Sequence, residues 1–434
     1  MAKTSVHTKS LLFLTHTSLF LGATFLSLLI ICAVWSIINP NWSNTSPLNK
    51  LKTPKPCAGV AHENLRHRPP AKTFYDDPSL SYSFGSPVKN WDQKRRNWLK
   101  QHPYAGEGAA NRVIAVTGSQ PPPCENSIGD HLLLRLFKNK VDYCRIHGYK
   151  IFYNNAFLHR KMTSVWAKLP PLRAAMVAHP EAEWIWWLDS DAVITDMEFK
   201  LPLEKYGNYN FVINGWKDMI YEKRSWLGLN TGIVLIRNCQ WAMEFIETWA
   251  SMSAANPNHE NLAKTVKSKI TGKEFSSVID EQSALVYLML TEREKWADKV
   301  YIENEYSFSG YWVSIVDRLD EISERYAALE REVSGLRRQR GEVVSEWYGA
   351  MREEYLKDTY DGKGGWRRPF ITHFTGCQPC SGHHDPSYEP DSCWKEMERT
   401  LNFADNQVLR SYGFVHKNLG NSSFVSPLEV HSPA

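Results

Sequence analysis

From residue 112 onward the chain alternates short apolar runs with amphipathic stretches. Val113-Ile-Ala-Val-Thr117 is an apolar run closed by Gly118-Ser119, the pattern of a buried strand. Apolar residues then recur at helical spacing from about Ile128 to His147. Tyr149-Lys-Ile-Phe-Tyr153 reads as a second strand, and Ser164 to Val177 as a helix interrupted by Pro170 and Pro171. Trp184-Ile-Trp-Trp-Leu188 is a third buried strand. This alternation predicts an α/β sheet, largely parallel, whose ligands bind beyond the C-terminal strand ends. Further on, Ile315, Leu319, Ile322, Tyr326, Leu329, Val333 and Leu336 follow a 4-3-4-3 spacing among dense charges. That spacing predicts one long amphipathic helix near 313–348, packed on the domain or forming a dimer seam.

The first fifty residues have a different pattern. No Asp, Glu, Lys or Arg occurs from Ser10 through Asn49, and Ser18 to Ile38 is almost wholly apolar. A helix over 18–38 is long enough to cross a bilayer. Lys3 and Lys9 precede it, which keeps residues 1–17 cytosolic and sends the rest across the membrane. Residues 39–105, rich in Pro, Asn, Ser and Lys, read as a lumenal stem whose more aromatic part, Tyr75 to Tyr104, can already pack on the domain, 106–420 as the catalytic domain and 421–434 as a C-terminal tail. Asn41, Asn44 and Asn421 stand in glycosylation sequons. Seven cysteines follow the apolar span, and an oxidising lumen would pair some of them; Cys377-Gln-Pro-Cys380 reads as a structural disulfide clip.

Composition narrows the function. Of 434 residues, 43% are hydrophobic and 23% charged, which excludes wholesale disorder. Lys+Arg 51 against Asp+Glu 47 is too balanced for nucleic acid to be the main partner. Seventeen Trp, 19 Tyr and 18 Phe supply flat faces that suit sugar rings as well as a core.

The chemistry concentrates at Asp189-Ser190-Asp191, where the third strand ends. Two carboxylates at the mouth of a buried strand need a positive partner. A hard divalent cation, Mn²⁺ or Mg²⁺, bridging them to a diphosphate would supply it. One carboxylate can ligate directly while the other works through water or a ribose. His373, at the end of another short apolar run, is the candidate third ligand. The set points to a nucleotide-sugar transferase with a GT-A type fold, an α/β Rossmann-like mixed sheet, behind an N-terminal transmembrane helix.

Several motifs strengthen this reading jointly. Leu188-Asp-Ser-Asp-Ala192 with Thr195-Asp-Met197, Gly228-Leu-Asn-Thr-Gly232, Asp280-Glu-Gln-Ser-Ala-Leu285, Thr372-His-Phe-Thr-Gly-Cys-Gln-Pro-Cys380 and Asn402-Phe-Ala-Asp-Asn-Gln-Val408 together resemble glycosyltransferase family 34. Its members are Golgi type II enzymes of plants, among them xyloglucan 6-xylosyltransferases and galactomannan galactosyltransferases. Residues 191–202 and Gln378, where a Lys is expected in the xylosyltransferase branch, look closer to the galactomannan branch. The resemblance implies a retaining transferase moving galactose from UDP-galactose to the 6-hydroxyl of a β-1,4-mannan. The alternatives are xylosyl transfer from UDP-xylose to a β-1,4-glucan, or a non-catalytic Golgi scaffold. It implies Mn²⁺ on Asp189, Asp191 and His373. Donor contacts are implied at Thr117, Gly118, Ser119, Asp130, Lys168, Ser190 and Gly376. Asp280, Glu281 and Gln282 are the catalytic candidates, and Asp280 also reads as a helix cap. Asn230, Thr231, Trp216, Trp226, Tyr311 and Trp312 are candidates for acceptor binding. The setting would be the Golgi membrane, with the catalytic domain lumenal and assembly with itself or other cell-wall transferases open to it.

Overall fold

The computed structural model describes residues 77, 79–106, 112–272, 278–338, 340–341, 343–359 and 365–428. The expected membrane span, the sequons at Asn41 and Asn44, and most of the expected stem lie outside the described residues. Among the described residues no helix is long and apolar enough to cross a membrane.

Six strands build the main sheet: β1 (Val113–Gly118), β2 (Lys150–Asn154), β3 (Trp184–Leu188), β5 (Phe211–Gly215), β6 (Leu229–Arg237) and β7 (Val300–Glu303). Their order is β2-β1-β3-β6-β5-β7. All pairings are parallel except those of β6, which runs antiparallel between β3 and β5. The sheet is therefore mixed, and one reversed strand separates two parallel parts.

Both faces of the central strands are covered, which is why β1 and β3 read as unbroken apolar runs. Trp184, Trp186 and Leu188 of β3 join a core with helices α2 (Gly129–His147) and α8 (Ser392–Leu409). Ile185 and Trp187 point the other way, toward α3 (Leu169–Ala178), α4 (Gln240–Ala250) and α5 (Glu281–Thr291). Truncating the fully buried Trp186 to Ala would cost about 3–5 kcal/mol. Pro170 and Pro171 do not interrupt a helix. They occupy the first turn of α3, behind a 3₁₀ turn over Ser164–Lys168, where a missing N–H costs nothing.

A second sheet of β4 (Ala192–Ile194), β8 (Gly310–Tyr311) and β9 (Ile371–His373) has the order β4-β9-β8. It brings His373 beside Ala192, immediately after the acidic turn.

Helix α1 (Trp91–Gln101) lies in the aromatic part of the expected stem, and Trp91 is buried in the core, its indole N–H donating to Asn238 Oδ1 at 2.7 Å, so this part packs on the domain. Two expectations are corrected. The single helix near 313–348 is replaced by α6 (Leu319–Glu332), a 3₁₀ turn over Ser334–Leu336, and α7 (Glu346–Leu356). The apolar stripe of α6, Leu319, Ile322 and Tyr326, packs with Phe403 of α8 and Leu419, so it is core and not a free seam. In the expected tail, Ser426–Pro427 pairs with Phe414–Val415.

The break is held by a buried ionic cluster. Arg338 donates to Glu198 Oε1 at 2.9 Å, Arg368 to Glu198 Oε2 at 3.1 Å, and Arg352 pairs with Asp196. Burial would raise the Glu198 carboxyl, but Arg368, Arg338 and Arg352 overcome that and hold it at about 2. Asp196 of the Thr195-Asp-Met197 motif thus anchors α7, and the adjoining Glu198 holds Arg338 and Arg368.

Candidate active site

β3 ends at Leu188, and the chain turns through Asp189, Ser190 and Asp191 before β4. The Asp189 N–H donates to the Gly232 carbonyl at 2.8 Å, and the Trp187 indole N–H donates to Asp189 Oδ1. Two buried side chains of α2 support the turn from below. Asn139 donates to the Ile194 carbonyl at 2.9 Å and accepts the Ile194 N–H at 2.8 Å. Lys140 donates to the carbonyls of Ala192 (2.7 Å), Ser190 (3.2 Å) and Leu136 (3.3 Å). Burial pulls the Lys140 pKa down to about 8, with Asp191 and Asp189 opposing it.

His373 faces this turn. Its Nε2 lies 3.3 Å from Asp191 Oδ1 and 4.0 Å from Asp189 Oδ2. Its tautomer follows from its other neighbours. The Gly232 N–H donates to Asn230 Oδ1 at 3.0 Å, which identifies that atom as the amide oxygen. Ser309 Oγ donates to the same oxygen at 2.9 Å and so has no proton left for the imidazole. At 3.1 Å from Ser309 Oγ, His373 Nδ1 must therefore carry the proton and donate. In the neutral imidazole with its proton on Nδ1, the Nε2 lone pair faces the two carboxylates, an arrangement fitted to a cation. One ligand atom from each of Asp189, Asp191 and His373 can be chosen so that all lie within 4.8 Å of one another.

Lys168 closes the other side. Its buried Nζ is 2.8 Å from Glu281 Oε1 and 3.2 Å from Asp189 Oδ1, and donates to the Thr231 carbonyl at 3.1 Å. Burial would depress its pKa, but the Asp189 and Glu281 carboxylates raise it above the usual lysine value. Lys168 and Lys140 face the three carboxylates of Asp189, Asp191 and Glu281, which leaves one negative charge for a bound cation to meet.

The trio at the start of α5 divides by role. Asp280 caps the helix, accepting the Ser283 N–H at 2.7 Å and hydroxyl at 3.0 Å. Glu281 is buried against Lys168 and accepts the Thr231 hydroxyl at 2.8 Å. Gln282 is half-buried and held at both ends of its amide: Nε2 donates to the Trp226 carbonyl at 2.9 Å, and Oε1 accepts the Thr231 N–H at 3.3 Å. Gln282 and Thr231 thus stand beside the Lys168–Asp189 pair.

The family model for the galactosyl transferase GMA12/MNN10 family matches residues 109–384. Galactomannan galactosyltransferase 1 of Cyamopsis tetragonoloba is 52% identical over 443 residues, covering 100% of both chains. Glycosyltransferase 6 of Arabidopsis thaliana is 50% identical over 427 residues, covering 98% of this chain and 97% of that one. Probable xyloglucan 6-xylosyltransferase 1 of Oryza sativa subsp. indica is 44% identical over 353 residues, covering 81% of this chain and 70% of that one. The chain belongs to this family. It is a glycosyltransferase.

Within this family member, the remaining predicted residues fall into distinct places. Thr117 and Gly118 end β1, and the Thr117 hydroxyl is buried without a hydrogen-bond partner. Ser119 accepts the Tyr153 hydroxyl at 2.7 Å. Asp130 is exposed in the first turn of α2, where its carboxylate accepts the Cys124 N–H at 3.4 Å, so it reads as a helix-start residue. Gly376 has φ +82°, which a side chain would strain, and sits in the loop after His373. That loop is fastened by Cys377–Cys393 and, across to the loop after β1, by Cys124–Cys380. The CxxC is therefore not a bond to itself, and Cys144 and Cys239 are free among the described residues.

The aromatic candidates also separate. Trp312 is 4% exposed and stacks on Phe374 at 5.4 Å, so it is core and offers no face to a sugar. Trp226 donates its indole N–H to the Gly272 carbonyl at 2.6 Å. Tyr311 and Trp216 are exposed, at 48% and 45%. Asn230 was expected on the acceptor; its side-chain oxygen is occupied by Ser309 and Gly232 and orients His373.

Sequence reasoning missed Asn139, Lys140 and Ser309. Lys140 could have been found, because it interrupts the apolar stripe Leu132, Leu136, Tyr143 and is fully buried there. Ser309 carried no signal. Asn402, Asn406 and Gln407, quoted in the family motif, are structural: Gln407 donates to the Thr195 carbonyl at 2.8 Å and accepts the Met197 N–H at 3.0 Å.

Proposed function

We propose that this glycosyltransferase moves galactose from UDP-galactose to the 6-hydroxyl of mannose in a β-1,4-mannan, with retention at the anomeric carbon. The observation that carries the reading is the Asp189–Asp191–His373 cluster beside a fixed Gln282, in a chain 52% identical along its whole length to a galactomannan galactosyltransferase. Asp189, Asp191 and His373 would hold a Mn²⁺ or Mg²⁺ ion on a GT-A type scaffold. When bound, such an ion supplies Lewis-acid neutralisation of the diphosphate leaving group.

The chain's own residues do the rest. Glu281 is buried, with Oε1 held by Lys168 at 2.8 Å and by the Thr231 hydroxyl at 2.8 Å, so it is not free to attack the anomeric carbon. The neutral Gln282 amide is a poor nucleophile but can stabilise positive charge at the anomeric carbon. Front-face substitution fits this set. The bond from the anomeric carbon to the UDP oxygen breaks, the bond to the acceptor O6 forms on the same face, and the departing phosphate oxygen takes the acceptor proton. The setting we propose is the Golgi membrane, anchored by the apolar span at 18–38, with residues 39–434 lumenal and Asn421, which is exposed, open to glycosylation.

The test is a matrix of two donors and two acceptors. The secreted domain, residues 40–434, is incubated with Mn²⁺, mannohexaose or cellohexaose, and UDP-galactose or UDP-xylose. A hexose added to mannohexaose is expected; a pentose added to cellohexaose would move the protein to the xylosyl reading. Absence of product from every pair in a protein that binds UDP would favour the scaffold.

A further inference from the structure

β7 is the last strand of the main sheet, paired on one side only. Along its open edge runs a cleft of about 410 Å³, lined by Trp216, Lys217 and Asp218 after β5, by Tyr209, and by Val300 to Ile302 and Asn304. Open strand edges are usually blunted, because they offer a row of unpaired backbone groups. This one instead carries an exposed indole and a polar rim.

One end of the cleft lies at the same end of the sheet as the site. β3, β5 and β7 run the same way, so Asp189, Trp216 and Asn304 all follow strand ends at one end of the sheet. Between them lies the start of β6. The Gln282 amide donates to the Trp226 carbonyl, and the Trp216 N–H donates to the Gly228 carbonyl at 2.8 Å. From β3 to β7 is three strand spacings, about 14 Å. A sugar chain leaving the anomeric centre in this direction meets Trp216 next and then the β7 edge.

We infer that this cleft binds the acceptor backbone at a distance from the reacting hydroxyl: a linear β-1,4-linked hexose chain whose ring stacks on Trp216 and whose hydroxyls meet Asn304, Lys217, Asp218 and the β7 backbone. The inference rests on the transferase reading above. A peptide added as a strand is the other occupant of an open edge. β7 has only four residues, and the exposed indole and amide at its active-site end suit a polar ring better.

The experiment uses the secreted domain with Trp216→Ala and Asn304→Ala. Mannohexaose, cellohexaose and mannotriose are titrated without donor, and transfer and acceptor-free UDP-galactose hydrolysis are measured separately. Loss of one stacked ring is expected to raise KM and Kd for the hexasaccharide roughly tenfold in Trp216→Ala. KM for mannotriose and the hydrolysis rate should stay within about twofold of wild type. Equal effects on the two chain lengths, or none on either, would overturn the proposal. Trp216-dependent binding of cellohexaose in place of mannohexaose would uphold the cleft and refute the mannan assignment. Binding of no oligosaccharide by a wild type that hydrolyses donor would refute the cleft alone.

Discussion

Gly232 gives the sharpest test of the His373 arrangement. A Cβ built there would lie 2.1 Å from His373 Cε1 and 2.8 Å from each ring nitrogen. Carbon atoms in contact settle near 3.5 Å, so Gly232→Ala must displace the imidazole by about 1.4 Å or more. Metal ligands hold their distances to within about 0.2 Å, so Nε2 would leave the cluster. Displacements of about 1 Å at a reacting centre cost on the order of 100-fold in rate. The fold should lose only about 1–3 kcal/mol, the usual cost of overpacking. Mn²⁺ affinity is read by EPR, transfer by product mass and stability by thermal melting, for Gly232→Ala, His373→Ala and the double variant. If the added methyl acts through His373, the double variant should be no worse than His373→Ala. Near wild-type Mn²⁺ affinity in Gly232→Ala, or a double variant far worse than either single, would refute the reasoning.

Ser309→Ala removes the acceptor that holds the proton on His373 Nδ1; Mn²⁺ affinity is expected to fall about 10–100-fold with little change in melting temperature, and unchanged affinity would break the tautomer argument. Lys168→Met leaves the buried Glu281 without its cation and should destabilise by about 3–5 kcal/mol, read by urea denaturation. His147 responds to pH: burial depresses its pKa to about 4, the bond to the Met197 carbonyl opposing. Since the unfolded chain titrates near 6.5, its contribution, on the order of 3 kcal/mol, is complete above that value and lost as pH falls toward 4. Melting temperatures between pH 7 and 4.5 should therefore drop more steeply for wild type than for His147→Gln, and parallel profiles would remove His147 from the account.

The parts of this fold that were legible in the sequence are those where one local signal decides. Trp184 to Leu188 reads as a strand because both faces are buried, and the two carboxylates that follow are too costly to place there without a partner. His373 was reached through its motif, since β4 and β9 pair residues 181 positions apart in the chain. Periodicity failed at 313–348 because the heptad spacing carries on through Val333 and Leu336, past Glu332 where the helix has already ended. What fixes that region is the Arg338–Glu198 and Arg352–Asp196 contacts, made across more than 130 residues. The aromatic residues show the same limit. Trp216 and Trp312 look alike in sequence, and only tertiary packing makes one a surface and the other core. Disulfide partners were equally out of reach, since Cys380 chooses Cys124 across 256 residues over Cys377 three residues away.

The proposed reaction is retaining galactosyl transfer to O6 of mannose. The most direct measurement is NMR of the product formed from UDP-galactose and mannohexaose by the secreted domain with Mn²⁺. An α-anomeric galactose proton correlated to a mannose C6 is expected. A β-anomer, attachment at another mannose carbon, or galactose appearing only as free sugar would contradict it.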